Sequence, residues 1–322
     1  MAARSVTIVL LLALTSCSTP REMVRPAPLA PPEIRVLFGG DVMLSRHVGQ
    51  LARLNADPSF PFRDVAEVLA PADIAFVNLE SPFSDRGPVA ESNMVFQAAP
   101  GTIDGLVLAG IDVVSTANNH ARDCGSHGLT YTLEWLAWNN ILAAGTADSK
   151  ESLAEGVVLA RGGVRFGFLG YTYDQSNGNY AAPDERVAVM NVAGMKAEVE
   201  RLRGRADVVI VSMHAGVEYS PQPNRQQVEF ARAAIDAGAR VVVGHHPHVA
   251  QPVEKYKDGV IFYSLGNLIF DQFQRQETQQ GWLAEAVFRG AKLERYSTLP
   301  VDIRNTVPQV RQPQAASLTG SR

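Results

Sequence analysis

Six short apolar runs recur along the chain, and each ends in residues that carry chemistry: IRVLF (34–38), IAFVNL (74–79), IDVVSTA (111–117), DVVIVSMH (207–214), RVVVGHH (240–246) and VIFYSLG (260–266). Their apolarity is continuous instead of alternating, the pattern of strands covered on both faces. Between them FRDVAEVLA, GLTYTLEWLAWNN and RQQVEFARAAIDAG carry apolar residues at helical spacing, and Gly238 stops the last. Hairpin-like strands are expected at 155–170 and near 283–299. A largely βαβ order of this kind predicts one layered α/β domain.

In such folds a ligand site lies outside the carboxyl ends of the strands. The runs hand over there to Gly39-Gly40-Asp41, Asn78-Leu79-Glu80, Asn118-Asn119-His120, His214, Gly244-His245-His246-Pro247-His248 and Ser264-Leu265-Gly266-Asn267. The stretch VVVGHHPH (241–248) holds three of the seven histidines. In an extended segment positions i and i+2 point the same way, so His246 and His248 present two imidazoles on one side. His245 then faces the other way and is the weakest ligand candidate.

Each residue also has an ordinary structural role. An Asp after two glycines is a common turn, and a His closing a strand is often a hydrogen-bonded core residue. Glu80, at the close of a buried strand, costs free energy unless it is paired, capping or bound to a cation. The combination is more specific than its parts. Asp41, Glu80, Asn119, His214, His246 and His248, with His120 beside them, offer carboxylates, an amide and imidazoles. That donor set suits Zn²⁺, Mn²⁺ or Fe²⁺, whereas Mg²⁺ and Ca²⁺ prefer oxygen-only cages. Six ligands exceed what one tetrahedral ion uses, and two ions about 3.5–4 Å apart would clamp a phosphate and lower the pKa of a bridging water. One or two divalent ions are therefore expected.

The ordered blocks FGGDVMLSR, VNLESP, ANNHARDCG, HAGVEY, GHHPHVAQPVE and YSLGNLIFD resemble those of the CapA family, the bacterial poly-γ-glutamate capsule-synthesis proteins. That family is similar in turn to the calcineurin-like metallophosphatases, which implies a four-layer α/β/β/α sandwich. The resemblance spans roughly residues 34–272. It implies that Asp41 and His248 hold a first metal, that Glu80 bridges, and that Asn119, His214 and His246 hold a second. It also implies that His120 protonates a leaving oxygen and that Asp123 orients it. Arg46, Glu218, Asn267 and Asp271 would shape a pocket for an anionic substrate.

Three positions depart from the metallophosphatase pattern. Met43 stands where an imidazole is usual, Glu80 replaces an Asp, and Ala121 instead of Asp follows His120. The second metal set is thus more intact than the first. Two activities fit: a metal-dependent phosphoesterase-like hydrolase acting on a phosphoester or an anionic envelope polymer, or a non-catalytic polymer-binding or assembly factor for capsule export.

The ends suggest where the chain works. Residues 1–16 read as a secretory signal, and Leu14-Thr15-Ser16-Cys17 resembles a lipobox in which Cys17 is diacylated. Ser18 after the Cys resembles the outer-membrane sorting pattern, so a lipid-anchored protein on the periplasmic side of the cell envelope is expected. Residues 17–33 are Pro-rich and read as a tether, 34–305 as the domain, and 306–322 as a disordered tail. Removing residues 1–16 deletes Arg4 alone, so the net charge of −4 becomes −5, and no nucleic-acid surface is expected. With Cys17 lipidated, Cys124 has no disulfide partner in the chain and reads as packing. Oligomeric state leaves no mark in the sequence.

Overall fold

A computed structural model describes residues 31–89, 94–175, 177 and 183–311. The signal, Cys17 and most of the tether lie outside these residues. The compact unit begins at Pro32. Among the described residues the strands are β1 (Glu33–Val42), β2 (Ile74–Leu79), β3 (Val113–Ser115), β4 (Leu142–Ala144), β5 (Val157–Arg161), β6 (Val164–Thr172), β7 (Val208–His214), β8 (Val241–His245), β9 (Val253–Tyr256), β10 (Gly259–Phe262), β11 (Asn267–Ile269), β12 (Gln280–Arg289), β13 (Lys292–Arg304) and β14 (Val307–Val310). The helices are α1 (Arg46–Leu54), α2 (Arg63–Leu69), α3 (Ile103–Leu108), α4 (Gly125–Trp138), α5 (Lys150–Glu155), α6 (Val192–Leu202) and α7 (Arg225–Ala237). No described helix is long and apolar enough to cross a membrane.

Two sheets form. One runs β14-β13-β12-β1-β2-β3-β4 with β11 also paired to β1, and the other runs β5-β6-β7-β8-β10-β9. Within them β1 to β4 are parallel neighbours, as are β6, β7, β8 and β10. Alternate residues of each strand face two different cores, which is why the runs read as continuously apolar. Val36, Phe38, Ile74 and Phe76 face inward against Phe168, Ile210, Val243 and Phe262 of the other sheet. Leu37, Ala75 and Val77 face outward onto a helix layer with Val48, Val65 and Leu106. Val209, Val211 and Val242 face the opposite layer with Met195, Val199 and Phe230. The result is the expected single-domain α/β/β/α sandwich. Phe76 and Phe168 stack across the two sheets with centroids 6.0 Å apart. Full burial of each such ring contributes about 2–3 kcal/mol.

Helix α7 shows how local signals set boundaries. The Asn224 side chain accepts from the Gln227 N–H while Gln227 reaches back, forming a capping box, and Gly238 ends the helix at φ 115°. The structure corrects one boundary. Residues 307–310 are not a disordered tail but β14, antiparallel to β13 with Val307 opposite Arg304, and Thr306 in the turn is fully buried. A four-residue strand flanked by polar positions carries too little apolar periodicity to show in the sequence.

Candidate metal centre

Gly40 lets the centre form. A Cβ there would lie 2.0 Å from the Gly266 carbonyl oxygen, so only glycine allows β1 to approach that loop. The Asp41 N–H then donates to Gly266 O at 3.0 Å, and Asp41 comes into register with Asn267 of β11. The ends of β2, β7 and β8 complete the ring with Glu80, His214 and the residues after Gly244.

Asp41, Glu80 and His214 are fully buried, and each offers a ligand atom within 4.8 Å of the others. Glu80 Oε1 lies 3.8 Å from His248 Nε2, 3.9 Å from His120 Nε2 and 4.0 Å from His214 Nε2. Among the described residues it has no hydrogen-bond partner. Two ligands of one Zn²⁺-like ion, each about 2.1 Å from it, can be up to about 4.2 Å apart. An orphaned carboxylate oxygen with the imidazole nitrogens of His214 and His248 at these distances fits a divalent cation, with His120 Nε2 alongside. Asn119 Oδ1 lies 2.9 Å from His214 Nε2, again the separation of neighbouring ligands.

Protonation follows from burial. Burial, then the Asp41 charge, pushes the Glu80 carboxyl well above its ordinary value. Burial also raises Asp41, but hydrogen bonds and charges from His245 and His248 outweigh it and hold that carboxyl well below the usual range. Of the two carboxyls, Asp41 is therefore the more acidic. Burial and neighbouring imidazoles push His214 well down and His246 down to about 3, so both stay neutral. Burial opposes a charge on His248, but Glu80 and Asp41 overcome it and raise the group to about 9.

His120 Nδ1 lies 2.7 Å from Asp123 Oδ2, and its ring stacks on Phe96 at 3.8 Å. The same Asp123 oxygen accepts from the Phe96 N–H at 2.7 Å. The imidazole is thus held on its face and at Nδ1, leaving Nε2 toward Glu80.

The structure brings together Asp41, Glu80, Asn119, His120, His214, His246 and His248, but not as an extended 246–248 segment would. Strand β8 ends at His245, and His246 and His248 have left-handed backbones, φ 95° and 58°. Their rings still sit 6.1 Å apart, with His246 4.9 Å from His214. Nor does His245 face away. It continues the inward row of Val241 and Val243, and its Nδ1 lies 3.3 Å from Asp41 Oδ1. The alternation of β8 itself predicts that placement. A second residue, Asn78, is more central than its sequence suggests: its amide donates to Asp41 Oδ1 at 2.8 Å and lies 3.3 Å from His214 Nδ1.

The pocket candidates are peripheral. Asn267 is buried and its Oδ1 lies 3.0 Å from His248 Nδ1, fixing that ring. Arg46 is paired with Asp271 and packs over Phe96 at 4.7 Å. Glu218 is exposed. Met43 is buried, and its sulfur accepts from the Ser45 hydroxyl at 2.9 Å. Cys124 is a buried free thiol, raised by burial to about 11.

The four-layer sandwich thus gathers imidazole, carboxylate and amide at the carboxyl ends of its central strands, a donor set that defines a candidate divalent-metal protein. The family profile described as "Bacterial capsule synthesis protein PGA_cap" matches residues 35–272, and the chain belongs to that family. It is 34% identical over 243 residues to "Capsule biosynthesis protein CapA" of Bacillus anthracis, covering 72% of this chain and 59% of that protein. It is 32% identical to "PGA biosynthesis protein CapA" of Bacillus subtilis, covering 84% and 72%. A solved structure titled as a putative 5'-nucleotidase from Staphylococcus aureus in complex with alpha-ketoglutarate aligns over 87% of this chain and 53% of its own, at 12% identity and TM-score 0.45.

Proposed function

We propose that the chain acts in capsule or poly-γ-glutamate biosynthesis as a metal-dependent hydrolase of a phosphoester or of the envelope polymer. The single observation that carries the reading is the orphaned Glu80 Oε1 within 4.0 Å of the imidazole Nε2 atoms of His214 and His248. Asp41, Glu80, Asn119, His214, His246 and His248 would hold one or two ions of Mn, Zn or Fe. When bound, such an ion stabilises negative charge on a substrate oxygen and generates a nucleophile from water at neutral pH.

The chain's own residues supply the rest. Asp123 holds His120 at Nδ1 and fixes its tautomer, and Phe96 excludes water from one ring face. His120 then delivers a proton from Nε2 to the leaving oxygen. Asn267 orients His248, and Asn78 anchors Asp41. In this reading Cys17 carries a lipid anchor and the site works on the periplasmic side of the envelope, supported by the lipobox-like Leu14-Thr15-Ser16-Cys17.

Elemental analysis of purified protein, with turnover of a model phosphodiester before and after chelation, tests the reading. One or two ions per chain and chelator-sensitive turnover are expected, and turnover indifferent to chelation would overturn it. The non-catalytic reading is favoured by Met43, whose buried thioether stands where the phosphatase pattern has an imidazole. On that reading polymer binding persists and turnover is absent in both wild type and His120→Ala.

A further inference from the structure

Two tyrosines stand at the end of β6, and their hydroxyls differ. Tyr171 is buried, its ring against Phe230 and its hydroxyl donating to Glu198 Oε2 at 2.5 Å. Tyr173 is 37% exposed, and its hydroxyl forms no hydrogen bond among the described residues. The backbone explains the difference. Alternation along β6 sends Leu169 and Tyr171 into the layer of α6 and α7. The strand stops at Thr172, where the Asp174 N–H donates to the Thr172 hydroxyl at 3.3 Å and closes a turn. The Tyr173 N–H donates to His214 O at 3.0 Å, and its ring comes to 4.7 Å from the His246 ring. Packing on His246 accounts for the ring but not for the free hydroxyl.

The charges that reach the hydroxyl show where it points. Burial, then Asp174, Glu218 and Glu80, push the phenol up to about 12. Glu80 belongs to the metal centre, so the hydroxyl lies on that side of the ring. At neutral pH it carries its proton, as an ordinary tyrosine does. Other donors near the centre are already engaged. Arg46 is paired with Asp271, the Asn78 amide donates to Asp41, and the Asn267 amide donates to Thr278 O at 2.9 Å. His120 comes from the end of β3 in one sheet and Tyr173 from the end of β6 in the other, so the two approach the centre from different sheets.

We infer that Tyr173 is a substrate-binding residue, its hydroxyl donating to an anionic oxygen of a phosphate-like group beside His246. That oxygen is not the one His120 protonates. The inference deepens the proposed function and rests on it for the presence of such a group.

Tyr173→Phe deletes the hydroxyl and keeps the ring on His246. Full-length protein loaded with Mn²⁺ is titrated calorimetrically with inorganic phosphate, and the variant should bind about tenfold more weakly or worse. Its kcat/KM for a model phosphodiester should fall about 10–100-fold. Metal stoichiometry and Tm should stay at wild-type values. Tyr296→Phe, on β13 and also 37% exposed, should match wild type throughout. Equal phosphate affinity in Tyr173→Phe overturns the assignment whatever the turnover, and loss of metal from that variant would make the ring a support for His246 instead. Wild type that binds Mn²⁺ and phosphate without turning substrate over sinks the hydrolase reading alone, because the difference in phosphate affinity still decides the role of the hydroxyl. Wild type that binds no phosphate overturns both.

Discussion

Glu80 Oε1 and His214 Nε2 face each other across 4.0 Å of fully buried space, too far to hydrogen-bond and near enough to share one ion. His120 and His248 approach the same oxygen from 3.9 and 3.8 Å. An unpaired buried polar atom costs about 1–3 kcal/mol. A cation removes that cost, so occupancy of the centre and stability of the fold are linked.

Glu80→Gln separates the two effects. In metal-stripped protein the substitution should leave stability unchanged or slightly higher, because burial already disfavours the charged carboxylate. A cation at about a hundred times its dissociation constant stabilises by about 2.7 kcal/mol, or about 5–10 °C in Tm. Wild type should show that rise on adding Mn²⁺ or Zn²⁺, reversed by chelation, and Glu80→Gln should lose most of it. Calorimetric scans with and without metal decide the matter, and an equal rise in both proteins would count against Glu80 as a ligand.

Asp123 touches His120 Nδ1 but approaches no metal-ligand candidate in the same way, so its effect should fall on turnover and not on metal content. General acid–base groups typically contribute about 10²–10⁴-fold. His120→Gln should lower kcat within that range, and Asp123→Asn should lower it less. Both variants should retain wild-type metal stoichiometry by elemental analysis. A variant that loses its metal would instead make the residue a structural support.

What the sequence shows of this architecture follows the physics of burial. Strand β2 and the run into His214 are visible because both faces are covered and the apolarity is unbroken. Helix α7 is visible through Gly238. By contrast β11, three residues long, gains its pairing from distant β1, and β14, four residues long, is a short return against β13, so neither carries a clear local signature. The site's composition is legible in the polar handovers, but the backbone at His246 and His248 is not. Left-handed conformations are uncommon for non-glycine residues in general, and nothing local to HHPH marks them. His245 was hidden for a related reason, since assigning the alternation to 246 and 248 reverses the parity that β8 actually has.

Gly40 tests whether the centre depends on the close approach of β1 to the Gly266 loop. An added Cβ would meet Gly266 O at 2.0 Å, a contact that backbone must move to relieve. Gly40→Ala should therefore destabilise by about 3 kcal/mol or more, measured by urea denaturation. Metal affinity should fall with it, because Asp41 is the next residue. Wild-type stability in this variant would mean that the two segments separate freely and that Asp41 is positioned by something else.

Away from the site, Asp207 ties the starts of β6 and β7 together, accepting from the Arg165 N–H at 2.9 Å and from its guanidinium at 3.1 and 2.8 Å. These bonds lower the Asp207 carboxyl to about 2. Its unfolded value is near 3.9, so the folded pKa is depressed. The stabilisation is therefore complete at neutral pH, begins to fade as pH falls toward the unfolded value, and is lost as pH passes through about 2. Half of the Arg165 side chain is exposed, which limits the gain to below about 1 kcal/mol. Asp207→Asn should thus cost a few tenths of a kcal/mol at pH 7, with the difference narrowing below about pH 5 in denaturation series. A gap that widens on acidification would show that Asp207 carries a raised pKa, and that the β6 to β7 contact is held by packing instead of charge.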